Sequence, residues 1–131
     1  MGLFDKVFKS ERDVAKKEVV QVPWNDLTSA EQLEEIERES TERPVAILKH
    51  STRCGISRMV LKQFEGDYKD DYDNVKLYFF DLLKHRDVSN EIASRFNVQH
   101  ESPQLIILQN GNVVHHSSHQ SIQVDNLNSY V

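Results

Sequence analysis

One cysteine is all that the chain carries in 131 residues. A single thiol cannot build a disulfide framework, and such sparing use fits a reducing compartment. Long apolar runs are missing as well: none approaches the roughly 20 residues that a bilayer-crossing helix needs. The opening residues Met1-Gly2-Leu3-Phe4-Asp5-Lys6 lack the charged and apolar regions of a signal peptide, so a cytoplasmic protein is expected. Clustered positive charge is also lacking. Sixteen Lys and Arg against 21 Asp and Glu leave a net charge of −5, which excludes a general phosphate-binding surface and hence nucleic acid as a partner. The early basic residues Lys6, Lys9, Arg12, Lys16 and Lys17 are interleaved with Asp5, Glu11, Asp13 and Glu18, so residues 1–18 read as a solvated extension and not as a membrane-surface helix. Asp67, Asp70, Asp71 and Asp73 do not follow calcium-loop spacing and are assigned to a polar loop. The length then leaves room for one domain, residues 19–131.

The most informative stretch runs from Val45 to Val60. Val45-Ala46-Ile47-Leu48 reads as a buried strand, Lys49 to Arg53 as a polar turn, and Cys54 falls where a helix should begin. Helix-start amides lack intrahelical acceptors and the helix dipole is positive there, so a sulfur at that point is expected to ionise readily. A lone cysteine is more commonly a buried apolar filler. Cys54, however, is surrounded by Ser51, Thr52, Arg53, Ser57 and Arg58, which favours exposure and a positive potential. Cys54-Gly55-Ile56-Ser57 has the form C-x-x-S. A cysteine in fourth place would make it a dithiol redox motif; with serine there, any disulfide formed by Cys54 must be resolved by a thiol from outside the chain.

Around that stretch the elements alternate. Val19 to Val22 reads as a short strand closed by Pro23. Thr28-Ser29-Ala30-Glu31 has capping-box spacing and opens a helix running to about Ser40, with Leu33 and Ile36 inward. After Cys54, Met59, Val60 and Phe64 fall at core-facing intervals of a helix that ends by Gly66. Val75 to Asp81 is the next strand, followed by a helix capped by Asp87 or Ser89 and carrying Ile92, Ala93 and Phe96. Pro103 precedes the strand Leu105 to Leu108, Asn110-Gly111 is a hairpin turn, and Asn112 to His116 should pair back antiparallel. A short helix from about Ser121, using Ile122 and Leu127, closes the chain. The β-α-β-α alternation implies parallel pairing through right-handed crossovers.

This succession resembles the thioredoxin fold: an α/β domain with a central mixed sheet of four to five strands flanked by helices. More narrowly, Lys49-His50-Ser51-Thr52-Arg53-Cys54-Gly55-Ile56-Ser57, Tyr78-Phe79-Phe80-Asp81-Leu82, His100-Glu101-Ser102-Pro103-Gln104 and Ser118-His119 resemble the monothiol bacilliredoxin family of the bacillithiol redox system. The resemblance implies a cis Pro103 beside the cysteine, with Ser102 presenting its backbone to an extended substrate. It implies a thiol-disulfide oxidoreductase in which Cys54 removes bacillithiol from protein mixed disulfides. Bacillithiol is then a co-substrate, no cofactor is bound, and the partners are bacillithiolated proteins, met by a monomer or weak dimer.

In that scheme Ser57, Thr52 and the amides of Ile56 and Ser57 are the candidate donors to the thiolate. Arg53 is a candidate partner for the carboxylates of bacillithiol, and His119 is brought toward the cysteine by the fold. His115 and His116, adjacent on a strand, point to opposite faces and with His119 make a poor metal set. Two alternatives remain open: a non-catalytic module that binds partners or senses oxidants through Cys54, and a glutathione-dependent monothiol glutaredoxin-like protein.

Overall fold

A computed structural model describes residues 21–130. The sheet has five strands, β1 (Trp24–Leu27), β2 (Val45–His50), β3 (Lys76–Asp81), β4 (Gln104–Gln109) and β5 (Asn112–Ser118), in the order β1-β3-β2-β4-β5. β1 and β2 run parallel to β3, whereas β4 is antiparallel to both β2 and β5. The α-helices among the described residues are α1 (Glu31–Glu39), α2 (Gly55–Asp67) and α3 (Arg86–Arg95).

The run Val45–Leu48 extends through Lys49 and His50, and all six residues of β2 are buried. Alternation along β2 sends side chains to two cores. Val45 and Ile47 join Leu33 and Ile36 of α1 and Val88 and Ile92 of α3, while Ala46 and Leu48 join Val60 and Phe64 of α2. Layers of helix on both faces of the sheet follow from this division.

Several expected details shift. The expected extension and half of the expected Val19–Val22 strand, Val19 and Val20, lie outside the described residues; Gln21 to Pro23 are irregular, and the first strand among the described residues is Trp24–Leu27. Leu27 is buried, and Trp24 stacks on Phe64 with ring centroids 5.7 Å apart; these contacts place a strand after Pro23, where the sequence pattern showed none. At the start of α1 no capping box forms. Gln32 takes the part assigned to Glu31: its Oε1 accepts the amides of Thr28 (2.7 Å) and Ser29 (3.0 Å), and its Nε2 donates to Asp26 O (2.9 Å). Met59, expected in the core, is 55% exposed. Ser57, Val60 and Phe64 line one face of α2, and Met59 falls on the opposite face with Ile56.

α3 starts at Arg86 with His85 in the cap position; Ser89, expected as a cap, is buried. α3 stops at a left-handed Asn97 (φ 52°), with Val98 N–H reaching back to Ala93 O. The acidic loop includes one 3-10 turn, Asp70–Tyr72, which buries Tyr72. The closing helix is also of 3-10 type, Val124–Tyr130, with Val124 and Leu127 buried. Asn110 (φ 53°) and Gly111 (φ 77°) give the hairpin the paired positive dihedrals of a type I′ turn. That turn docks on α1: Asn110 N donates to Ser40 O (2.7 Å) and Gly111 N to Ser40 Oγ (2.8 Å). None of the helices described is long and apolar enough to cross a membrane.

Candidate active site

β2 is the central strand, and its carboxyl end delivers the chain to Cys54. Lys49 lies opposite Gln104 across the β2–β4 ladder, so the residues after His50 and those before Gln104 leave the sheet at the same end. The peptide bond between Ser102 and Pro103 is cis. On the far side of β4, His119 N donates to Pro103 O (3.1 Å). The cysteine loop, the Ser102–Pro103 loop and the start of the residue 119–121 turn therefore share one end of the sheet.

Ser51 opens a tight turn in which Cys54 N–H donates to Ser51 O (3.1 Å). Cys54 occupies the cap position of α2 in extended conformation (φ −95°, ψ 120°), and its carbonyl accepts Arg58 N–H (3.1 Å). The residue is partly exposed and its thiol is free. Its side chain makes no capping hydrogen bond, so the amides of Ile56 and Ser57 are not bonded to sulfur.

Ser57, expected to offer its hydroxyl to the thiolate, turns it elsewhere. Ser57 Oγ accepts Ser51 N–H at 3.0 Å and lies 2.9 Å from His50 Nδ1. Burial pushes the His50 pKa below its ordinary value, against the opposing pull of Asp81 and Glu65. The ring is therefore neutral near pH 7. It packs on Phe79 with centroids 5.3 Å apart, and Phe79 lies edge-on to Trp24 at 5.7 Å.

The other expected residues are distributed around this frame. Thr52 and Arg53 are exposed beside the cysteine. Ile56 is 37% exposed and forms with Met59 an apolar surface on the outer face of α2. Ser102 is half-buried and Pro103 buried; among the described residues no hydrogen bond engages the Ser102 amide or carbonyl. His119 is exposed in left-handed conformation (φ 54°), held by its backbone and not by its ring. His115 is half-buried and bonded to Ser117 Oγ (3.1 Å), while His116 is exposed, as their alternation on β5 requires. No group of three metal-binding side chains gathers among the described residues. A recess of about 190 Å³ opens at the carboxyl ends of β1 and β3, lined by Asp26, Phe79, Asp81, Lys84 and His85.

Sequence reasoning overlooked two polar clusters, and one signal marks both. Lys49 and His50 interrupt an otherwise apolar central strand immediately before the cysteine. His50 ties the strand to Ser57. Lys49, fully buried on the other face, lies 2.6 Å from His100 Nδ1 and 3.2 Å from Gln104 Oε1.

Comparison with known proteins agrees with this architecture. A solved structure described as a candidate oxidoreductase with a thioredoxin fold is 35% identical, superposes with a TM-score of 0.68, and is matched over 79% of this chain and 89% of its own. Thioredoxin from Malassezia sympodialis (18% identity, TM-score 0.64, 84% of this chain and 90% of that one) shares the fold. So does thioredoxin O2 from Arabidopsis thaliana (18% identity, TM-score 0.62, 84% and 94%). The sequence pattern of monothiol bacilliredoxin BrxC matches residues 25–127. With its thioredoxin fold and a single cysteine at the start of α2, this chain belongs to the monothiol bacilliredoxin family.

Proposed function

We propose that the protein is a cytoplasmic thiol-disulfide oxidoreductase that strips bacillithiol from protein mixed disulfides. The observation that carries the reading is the partly exposed free thiol of Cys54 at the head of α2, in a chain that holds no second cysteine and belongs to the bacilliredoxin family.

The Cys54 thiolate attacks the bacillithiol sulfur of the mixed disulfide. The new Cys54–bacillithiol bond forms as the old bond breaks, and the electron pair leaves with the protein thiolate. A second bacillithiol thiolate then attacks the adduct, releasing oxidised bacillithiol and restoring Cys54. Two electrons thus pass from bacillithiol to the substrate protein. Ser57 cannot take the place of the second thiol.

The unpaired backbone of Ser102 suits an incoming extended segment, which can add to it by strand-type hydrogen bonds. Arg53, exposed beside the cysteine, suits the carboxylates of bacillithiol. The Asp81–Lys84–His85 recess begins where β3 pairs with His50, and offers charge of both signs to the remainder of that zwitterionic thiol.

The test is turnover of a bacillithiolated protein with excess bacillithiol. Many equivalents of protein thiol per enzyme are expected, with intact mass showing one bacillithiol on Cys54 and Cys54→Ala inactive. A halt after one equivalent would identify a sensor, and equal turnover of glutathionylated substrate with glutathione would reassign the thiol.

A further inference from the structure

Lys49 is an unusual residue for the middle of a sheet. Its side chain is fully buried, and among the described residues no carboxylate forms an ion pair with it. An ammonium placed so destabilises the fold unless something else requires it. Its partners, His100 and Gln104, lie on either side of Pro103. Besides the bonds to His100 Nδ1 and Gln104 Oε1 already described, Gln104 Oε1 accepts Glu101 N–H (3.4 Å) and Gln104 Nε2 donates to Gln99 O (2.9 Å). Glu101 is tied in turn to β5 by Ser118 Oγ (3.0 Å). Nothing in the exchange chemistry of Cys54 uses this cluster.

We propose that Lys49 is a positioning residue for substrate: anchored on the rigid central strand, it fixes the course of residues 99–104 and so presents the Ser102 backbone in the geometry an incoming segment pairs with. The inference rests on the proposed reading that this loop receives the mixed-disulfide protein. Rigid first-layer geometry of this kind lowers the ordering cost of binding. It acts on docking and leaves sulfur chemistry alone.

The charge itself contributes, because hydrogen bonds from an ammonium are stronger than those from a neutral amine. Burial lowers the Lys49 pKa to about 8, with Glu101 opposing. The ionisable groups acting on it are Glu101 and His100, both on the loop it holds. β3 and β4 place Phe80 and Gln104 opposite it, and α3 contributes Ser89, bonded to His100; none of these titrates.

The experiment compares wild type, Lys49→Met, Gln104→Leu and the double variant in the bacillithiolated-protein assay. Absence of wild-type turnover would sink the functional reading itself, before any variant is read. Given turnover, each single variant should raise KM for the protein substrate roughly tenfold, the worth of one hydrogen bond to a charged group. The double variant should add little, since both remove one link. kcat and the rate of Cys54 alkylation by iodoacetamide should stay within about twofold. Wild-type KM should climb between pH 7 and 9, and that of Lys49→Met should not. Should Lys49→Met fail to fold, Gln104→Leu and the wild-type pH profile carry the decision. Unchanged KM, additive effects, or an equal slowing of alkylation would overturn the proposal, the last by showing that the cation acts on sulfur.

Discussion

Ser57 Oγ holds two bonds at once, accepting the Ser51 amide and sharing a hydrogen bond with His50 Nδ1. Both partners are buried, so removing the hydroxyl strands the Ser51 amide and the His50 ring nitrogen away from water. Ser57→Ala should therefore destabilise the protein by about 1–3 kcal/mol in urea denaturation. Turnover should also fall, because the Ser51–Cys54 turn loses its tether to α2. Loss of activity with no loss of stability would instead give the hydroxyl a direct role at sulfur. Met59 behaves oppositely. More than half exposed, it should accept Met59→Ser with a change within about 0.5 kcal/mol, whereas Phe64→Ala on the buried face should cost about 3–5 kcal/mol. The cysteine and its neighbours were legible from local polarity. The direction of the Ser57 hydroxyl was not, because it depends on His50, whose partner choice is settled only when β2 and α2 pack.

Gln32 shows how an element end is secured by a residue one place from where pattern puts it. Its side-chain oxygen collects two amides ahead of α1 while its nitrogen holds the end of β1. Gln32→Ala should cost about 1 kcal/mol, in the range of a lost cap, and Glu31→Ala close to nothing; equal effects in thermal melts would restore the expected capping box. Strands β2, β3 and β4 and the Asn110-Gly111 turn were readable because burial and turn chemistry are local signals. The strand Trp24–Leu27 was missed because its pairing with β3 is decided by Leu27 and by Trp24 against Phe64, contacts far apart in sequence. The final segment kept its predicted inward residues Ile122 and Leu127 while adopting 3-10 turns, since apolar spacing in a short stretch does not distinguish the two helix types.

Across the whole molecule, the buried ionisable groups fix how stability varies with pH. Burial depresses His50, His100 and His115 below their ordinary value of 6.5, so the unfolded chain binds more protons as pH falls through that value and stability declines. Burial alone would raise the Glu39 pKa, but hydrogen bonds from Lys76 and Tyr78 hold it below 4.5, and its contribution disappears at still lower pH. On the alkaline side Lys49, depressed from 10.5 to about 8, is neutral in the fold while still charged in the unfolded chain. Between those values stability should rise with pH, by on the order of 3 kcal/mol if the window were traversed completely. It is not traversed completely, because burial raises Tyr68, Tyr72 and Tyr78 above 10, and their ionisation in the unfolded chain erodes stability beyond that point. The unfolding free energy should therefore climb from pH 5 to about 9 and peak there. In Lys49→Met the climb should end near pH 7, where the histidines are already neutral. Denaturation curves at unit pH intervals check this, and a wild-type maximum at or below pH 7 would mean that burial does not lower the Lys49 pKa and that its ammonium stays charged in the fold through this range.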